Sequence, residues 1–194
     1  MGDPDGSDAT SRGFDDAALA SVLADSQRLG FLGSRPISEV IDHARSVVDA
    51  LEGVSGRVVD LGSGGGLPGL VIAQARPDLA LTLIDRRTKR TDFLERVTRR
   101  HRLAERVQIV ADDVERLIEQ VHDGEVPFFD AAVARGFGPP DRTLSFMAAL
   151  TRPGGRLVIT EPPSGDRWDA SLLASVGVVR LVGPAGVAVF DVAT

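Results

Sequence analysis

A glycine-rich loop that follows a short β-branched run constrains the fold of this chain most. Arg57–Leu61 ends at Gly62, and further glycines occupy positions 64, 65 and 66 before a helical pattern begins near Leu67. Glycines permit positive φ angles and allow a ligand to approach the backbone closely. Such loops join a strand to a helix at the carboxyl edge of an α/β sheet, where nucleotide-like ligands bind. A plain strand–helix turn needs only one or two glycines, so the run favours a binding loop.

Beyond this loop, short apolar runs alternate with amphipathic segments. We predict helices at 67–75, 88–102, 113–121 and 141–150, and strands at 79–85, 106–111, 128–134 and 155–160. This alternation is typical of parallel βαβ units, whose sheet is covered on both faces. Two last apolar runs, at 176–182 and 186–192, flank a Gly-Pro-Ala tripeptide. They predict a hairpin that adds one antiparallel strand to an otherwise parallel sheet.

The chain before the loop has a different character. Residues 1–13 are mostly Gly, Asp and Ser, and they predict a disordered acidic tail. From 14 to 53 the apolar residues recur at helical spacing, as Leu19, Val22 and Leu23 illustrate. We therefore divide the chain into a tail (1–13), N-terminal helices (14–53) and an α/β domain (54–194).

Composition excludes several classes of protein. The 194 residues suffice for one sizeable core, and the lack of cysteine excludes disulfides, thiolate metal sites and a thiol nucleophile. No apolar run approaches the roughly 18–20 residues of a membrane span, and no signal peptide is evident. We expect a soluble cytoplasmic monomer that binds neither membrane nor metal.

The charge pattern bears on nucleic acid as a partner. A net charge of −6 argues against it, but the acidic residues before position 17 contribute much of that charge. Segment 86–106 carries the opposite sign, with nine basic residues against three acidic ones. Nucleic-acid binding depends on such local patches more than on net charge, although the same segment would also suit a solvated helix face.

Two nucleotide cofactors compete for the glycine loop. Gly-x-Gly-x-x-Gly over residues 64–69 fits the dinucleotide fingerprint. Asp-x-Gly-x-Gly-x-Gly over residues 60–66, with Asp60, Gly62, Gly64 and Gly66, also fits the S-adenosylmethionine loop of Rossmann-like methyltransferases. A carboxylate at position 60 can meet the cationic amino-acid end of S-adenosylmethionine, whereas it would repel a pyrophosphate. The methyltransferase interpretation is therefore favoured over a nicotinamide oxidoreductase.

Two further acids end predicted strands at the same edge. Asp85 ends the second strand, where a carboxylate can accept both ribose hydroxyls of a nucleotide; otherwise it caps the next helix. Asp112 ends the third strand, where these folds place an acceptor for the adenine amino group. The spacing Asp112-x-x-Glu115 fits a helix-capping pair equally well, so both alternatives stay open.

The segment LGSGGGLPGLVIAQARPDLALTLIDRRTKRTDFLERV closely resembles the glucose-inhibited division protein B family. The most specific matches are Leu67-Pro68-Gly69 after the glycines and Leu83-Ile84-Asp85 followed by Lys89-Arg90. Val114-Glu115 and Arg135-Gly136-Phe137 resemble the family's Val-Glu and Arg-Ala-Phe positions. His43 matches a family histidine ahead of the core.

This resemblance implies an S-adenosylmethionine-dependent methyltransferase that modifies N7 of a guanine in small-subunit ribosomal RNA. It implies a Rossmann-like class I fold, with a seven-stranded, mostly parallel sheet and an N-terminal helical extension. It implies that Asp85 holds the ribose. It also implies that the cofactor is contacted, or its pocket shaped, by Gly62, Leu67, Val114, Glu115 and Arg135. A guanine N7 has a free lone pair, so we assign no general base.

Three departures from the family lie on the acceptor side. Phe31-Leu32-Gly33 replaces Asn-Leu-Thr, Thr160-Glu161-Pro162-Pro163 replaces Lys-Gly, and the C-terminus FDVAT is not basic. Two alternatives to an RNA methyltransferase therefore remain: a diverged member that methylates a small molecule, and a non-catalytic cofactor-binding protein.

Overall fold

The computed structural model describes residues 14–162 and 167–194, so the predicted tail at 1–13 lies outside the described residues. Two helices come first: α1 (Asp16–Arg28) and α2 (Ile37–Ala50). The alternating region follows as β1 (Arg57–Leu61), α3 (Gly69–Ala75), β2 (Ala80–Ile84), α4 (Thr88–Arg100), β3 (Val107–Val110), α5 (Val114–His122), β4 (Phe129–Ala134), α6 (Pro140–Leu150) and β5 (Thr151–Thr160). The last elements are α7 (Ala170–Val176), β6 (Val178–Leu181) and β7 (Val187–Val192).

The seven strands form one sheet in the order β3-β2-β1-β4-β5-β7-β6. Strands β1 to β5 pair in parallel, and β7 runs antiparallel to both β5 and β6. The predicted sheet, with its one antiparallel strand, is confirmed. The strand order reverses between β1 and β4, and α/β sheets bind ligands at the carboxyl edge of such a switch point.

The largest difference from the sequence prediction lies near the C-terminus. The run 176–182 was expected to be a single strand, but it contains the end of α7 and the shorter strand β6. Asp169 caps α7 by accepting a hydrogen bond from the Leu172 N–H at 2.9 Å, and Gly177 ends the helix at φ +74°. Because α7 has only seven residues, its periodicity is too short to be told from a strand.

The hydrophobic core lies on both faces of the sheet. Helices α1 to α4 cover one face, which includes Val58, and helices α5 to α7 cover the other, which includes Val59. Adjacent residues of β1 point to opposite faces because side chains alternate along a strand. Helices α1 and α2 contribute Leu23 and Val47 to the same core cluster as α3, so they are packed onto the sheet and do not stand apart from it.

Replacing one buried side chain of α1 tests this packing. Leu23 is fully buried (0% exposed), and we expect Leu23→Ala to lower the free energy of unfolding by about 2–5 kcal/mol, since the change leaves a cavity. The matched control is Leu29→Ala, because Leu29 is 54% exposed. Urea unfolding would measure both variants. Equal stability of the two variants would contradict an integral role for α1.

Candidate functional site

The carboxyl ends of β1, β2, β3 and β4 meet at one edge of the sheet around a pocket. In the register of these strands, Leu61 of β1 pairs with Ile84 of β2 and with Ala134 of β4. The pocket has a volume of about 400 Å³. Five residues predicted from the sequence line it: Gly62, Asp85, Asp112, Val114 and Glu115. The topological switch point therefore carries a cavity.

The glycine loop is packed against protein from two sides. Gly62 has φ +67°, and a Cβ at this position would lie 2.6 Å from the Phe137 ring. Gly65 lies against α1, where its carbonyl accepts a hydrogen bond from the Ser26 hydroxyl at 2.9 Å, and a Cβ there would overlap Ser26 and Leu32. Packing alone thus requires these two glycines, so the run is not explained by ligand approach only.

Asp60 lies at the entrance of the loop and is almost completely buried, with 1% of its surface exposed. Its Oδ2 accepts a hydrogen bond from the Gly69 N–H at 3.1 Å, whereas Oδ1 has no partner among the described residues. Burial raises the pKa of Asp60 to about 7, and the negative charge of Asp85 adds to the effect. Buried polar atoms in native proteins are normally hydrogen-bonded, so Oδ1 marks a place for a donor.

Asp85 joins the glycine loop to the start of α4. Its Oδ2 accepts hydrogen bonds from the Gly64 N–H at 3.0 Å and from Arg90 Nη1 at 3.3 Å. Its Oδ1 accepts a hydrogen bond from the Arg87 N–H at 2.8 Å. The N-cap of α4 is Arg87, without a side-chain cap. The alternative that Asp85 is the N-cap is therefore wrong, and the carboxylate instead fixes the loop beside the pocket.

Asp112 and Glu115 lie on the opposite wall of the pocket. Asp112 Oδ1 accepts a hydrogen bond from the Asp113 N–H at 2.9 Å, and the N-cap of α5 is Asp113. The alternative that Asp112 and Glu115 form a capping pair is therefore wrong. Glu115 instead forms an ion pair with Arg142 of α6. A backbone hydrogen bond and this guanidinium lower the pKa of Glu115.

Sequence reasoning missed the wall contributed by α6 and the segment before it. Phe137, Arg142 and Phe146 line the pocket, and the Arg142 guanidinium lies 5.0 Å from the Phe146 ring centroid. The family match at Arg135-Gly136-Phe137 indicated Phe137, but no sequence pattern indicated that Arg142 or Phe146 would line the pocket. They are brought to the pocket by the packing of α6 against α5.

The remaining predicted residues lie next to the pocket and do not line it. Arg135, at the end of β4, is half-buried, and burial lowers its pKa, with a further contribution from Arg35. Gly66 (φ +101°) and Leu67 (3% exposed) face the protein interior. They shape the loop from behind. The Gly64 N–H is bound to Asp85 of the pocket, and Arg135 lies within electrostatic range of Asp60.

Residues 14–162 and 167–194 form neither a metal site nor a membrane span. No group of three or more His, Asp or Glu side chains in these ranges is arranged to hold a metal ion. No helix within them is both long and apolar enough to cross a membrane.

Comparison with known proteins identifies the family. A family model described as rRNA small subunit methyltransferase G (GidB) matches residues 19–162. The chain belongs to this family. The resemblance expected from the glycine loop and its continuation is therefore confirmed, and the GidB match extends into the N-terminal helices.

Two curated relatives show the extent of the match. A ribosomal RNA small subunit methyltransferase G from Salinispora tropica is 36% identical over 140 residues, which cover 71% of this chain and 58% of that protein. Another from Corynebacterium glutamicum is 30% identical over 177 residues, which cover 89% of this chain and 75% of that protein. The chain thus spans little more than half the length of the first relative.

Solved structures support the fold. The O-methyltransferase from Bacillus cereus in complex with SAH superposes with a TM-score of 0.62 at 15% identity, covering 93% of this chain and 92% of that chain. The mitomycin 7-O-methyltransferase MmcR superposes with a TM-score of 0.58 at 21% identity, covering 80% and 55%. The GidB family member described here therefore has the class I methyltransferase fold.

The buried Asp60 carboxyl predicts a pH-dependent stability. Its pKa rises from 3.8 to about 7 on folding, so the folded chain binds more protons than the unfolded chain between these values. The stabilisation is present at low pH and is lost as the pH rises toward 7. We expect the free energy of unfolding to fall by a few kcal/mol more in the wild type than in Asp60→Asn over this range.

Urea titrations of both proteins at about pH 5 and about pH 8 would measure this difference. Since Asn keeps an oxygen that can accept from Gly69, the variant removes the titration without removing the hydrogen bond. Parallel pH dependences of the two proteins would show that Asp60 does not titrate in this range.

Proposed function

We propose that this chain is an S-adenosylmethionine-dependent methyltransferase that methylates N7 of a guanine in small-subunit ribosomal RNA. Family membership supports the reaction and the substrate. The observation on this chain that carries the proposal is the unpartnered Asp60 Oδ1, buried at the entrance of the glycine loop. Such an oxygen can accept a hydrogen bond from an ammonium group, and S-adenosylmethionine carries an ammonium group at its amino-acid end.

The residues around the pocket fit the rest of this cofactor. Asp85 accepts hydrogen bonds from the Gly64 N–H, Arg90 and the Arg87 N–H, and its Oδ1 keeps a lone pair that can accept a hydrogen bond from a ribose hydroxyl. Asp112 lines the adjacent wall and can accept a hydrogen bond from the adenine amino group. Val114 supplies an apolar surface beside it. Glu115 is turned toward Arg142, so we propose that it closes the pocket rim and does not contact the adenine directly.

The residues of the glycine loop determine the shape of the cofactor pocket. Gly62 lines the pocket, and its positive φ brings the backbone next to the Phe137 ring. Gly66 and Leu67 support the loop from the protein interior. Arg135 lies close enough to Asp60 for the two charges to interact, so it can receive a negatively charged group beside the ammonium site.

When bound, S-adenosylmethionine supplies a methyl group on a sulfonium, together with a neutral thioether leaving group. Guanine N7 offers its lone pair without losing a proton, so the chain needs no general base for this acceptor. The task that remains for its side chains is to align the reactants, which alone can account for a large part of a rate enhancement. The absence of cysteine excludes a thiolate that would attack a pyrimidine.

The surface charge supports an RNA acceptor. Arg86, Lys89, Arg96 and Arg100 of segment 86–106 are exposed on or beside α4, and Arg86 also lines the pocket. Cations that lead to a pocket favour a polyanion through counterion release. We therefore propose that RNA approaches along this side. We further propose that the protein acts in the cytoplasm as a monomer and that its domain at 54–194 carries out the methyl transfer.

The contacts of Glu161 weaken the argument for a small-molecule acceptor. Glu161, the acidic replacement for the family's Lys-Gly segment, accepts hydrogen bonds from Arg167 at 3.3 Å and from Trp168 Nε1 at 3.0 Å. Its charge is therefore engaged by neighbours on the same segment. It does not leave an unpaired acid on the acceptor side.

Asp85→Asn tests the cofactor site. Loss of the negative charge and of one carboxylate oxygen beside the pocket should weaken S-adenosylmethionine binding by about tenfold or more, equivalent to about 1.4 kcal/mol. Isothermal titration would measure the dissociation constant. Asp92→Asn is the matched control, because Asp92 is exposed on α4 and its loss changes the net charge equally. No binding by the wild type at millimolar cofactor would refute the proposal.

The acceptor is tested with small ribosomal subunits that lack the modification. We expect labelled methyl groups from S-adenosylmethionine to enter the RNA, at a guanine that becomes sensitive to borohydride and aniline as N7-methylguanine does. A control reaction without subunits, containing a metabolite extract, measures transfer to small molecules. Label recovered only in the extract would reject RNA as the acceptor while leaving the methyltransferase assignment intact.

A further inference from the structure

Three basic side chains lie within electrostatic range of one another near Asp60, outside the cofactor pocket. We call Arg35, His43 and Arg135 the basic cluster. Arg35 precedes α2, His43 lies in the second turn of α2, and Arg135 directly follows β4. The cofactor pocket of about 400 Å³ is not lined by these residues. The cluster is therefore a second feature of the same sheet edge.

The fold fixes the position of His43 at this edge. The imidazole packs so closely on Gly186 that a Cβ there would lie 3.0 Å from His43 Cε1. The Gly186 carbonyl in turn accepts a hydrogen bond from the Glu161 N–H at 2.8 Å, directly after β5. Strand β5 is the neighbour of β4 in the sheet, so His43 lies at the end of the strand beside the one that carries Arg135.

The backbone of Arg35 is also held. Gln27 Nε2 of α1 donates a hydrogen bond to the Arg35 carbonyl at 2.9 Å, so the turn between α1 and α2 is tied to α1. The Arg35 side chain is exposed, whereas His43 and Arg135 are half-buried. The cluster therefore opens to solvent through Arg35.

The cluster carries charge that the protein does not neutralise. Within residues 14–162 and 167–194, the guanidinium groups of Arg35 and Arg135 take part in no hydrogen bond or ion pair. Burial lowers the pKa of His43, and the positive charges of Arg135 and Arg35 lower it further, so both guanidinium groups lie within electrostatic range of the imidazole. Asp60 is the acid that interacts with Arg135, and its own pKa is raised.

The carboxylate of Glu161, directly after β5, does not compensate this charge. Glu161 accepts hydrogen bonds from Arg167 and Trp168, as described above, so its charge is already engaged. A half-buried guanidinium without a partner is costly, because buried charges are normally paired. The cost is offset when an anion binds, and such a site fits a phosphate oxygen better than a neutral group.

We propose that the basic cluster binds a backbone phosphodiester of the acceptor RNA and so positions the target nucleotide over the cofactor. The inference rests on the proposed function, because it assigns the RNA-contacting side of that same site. Arg135 lies beside Asp60 and can engage the single carboxylate of S-adenosylmethionine, which leaves the Arg35 guanidinium and the His43 imidazole for the phosphodiester. The exposed Arg35 places part of the cluster on the outer rim, where a polymer and not an enclosed cofactor has access.

The first test uses inorganic phosphate as the probe and the full chain without RNA or cofactor. The chain has only three histidines, so their ring resonances can be followed separately by NMR. We expect phosphate to raise the pKa of His43, since a bound anion favours the imidazolium. His101 and His122 serve as internal controls and should not respond. No response of His43 would overturn the anion site.

The second test compares Arg35→Ala with the control Arg45→Ala. Both remove one exposed arginine at or near α2, but Arg45 is paired with Asp42 and Asp16. The probe is a labelled single-stranded RNA of about twelve nucleotides, measured by fluorescence anisotropy over a series of salt concentrations. We expect Arg35→Ala to weaken RNA binding about tenfold and to reduce the salt slope by about 0.7, with unchanged S-adenosylmethionine binding.

Each other result has a distinct meaning. Weaker S-adenosylmethionine binding with unchanged RNA binding would assign the cluster to the cofactor carboxylate and overturn the proposal. Equal behaviour of Arg35→Ala and Arg45→Ala would do the same. If the wild type binds cofactor and phosphate but not RNA, the phosphodiester assignment is wrong. If it does not bind cofactor, the proposed methyltransferase function fails, and the His43 response still reports on the anion site independently.

Discussion

Two buried carboxylates hold the glycine-rich loop at the edge of the sheet. Asp60 accepts a hydrogen bond from the Gly69 N–H after the loop, and Asp85 accepts one from the Gly64 N–H within it. These two hydrogen bonds attach the loop to β1 and to the end of β2 without a ligand. Helix α1 also holds the loop, because the Ser26 hydroxyl donates a hydrogen bond to the Gly65 carbonyl. The shape of the pocket depends on these polar contacts together with the close packing of Phe137 and Leu32 against the loop glycines.

Holding the loop in this way is costly in the absence of a ligand. Asp60 is desolvated, lies near Asp85 and leaves one oxygen without a donor. Arg135 is desolvated beside Arg35 and lacks a hydrogen-bonding partner among the described residues. Asp60 and Arg135 interact through their charges but form no ion pair among the described residues. Sites that bind charged groups store free energy in this form, and binding releases it.

The elements that could be predicted from the sequence are those whose signal is local. The β1 run, the glycines and the strand-ending acids at 85 and 112 lie within short segments, and the structure brings all of them to one edge. The short helix α7 and the wall formed by Arg142 and Phe146 could not be predicted. Seven residues carry too little periodicity, and the Glu115–Arg142 ion pair joins residues far apart in the sequence.

By itself, the sequence determined the class of fold, the family and the kind of cofactor, because each depends on residue types at fixed spacing. Only the tertiary structure decided what the charges do. It buried Asp60, turned Glu115 toward Arg142, paired Glu161 with Trp168 and brought Arg35 and His43 to Arg135. These outcomes depend on desolvation and on distances between separate elements, and neither quantity is encoded in any local pattern of residues.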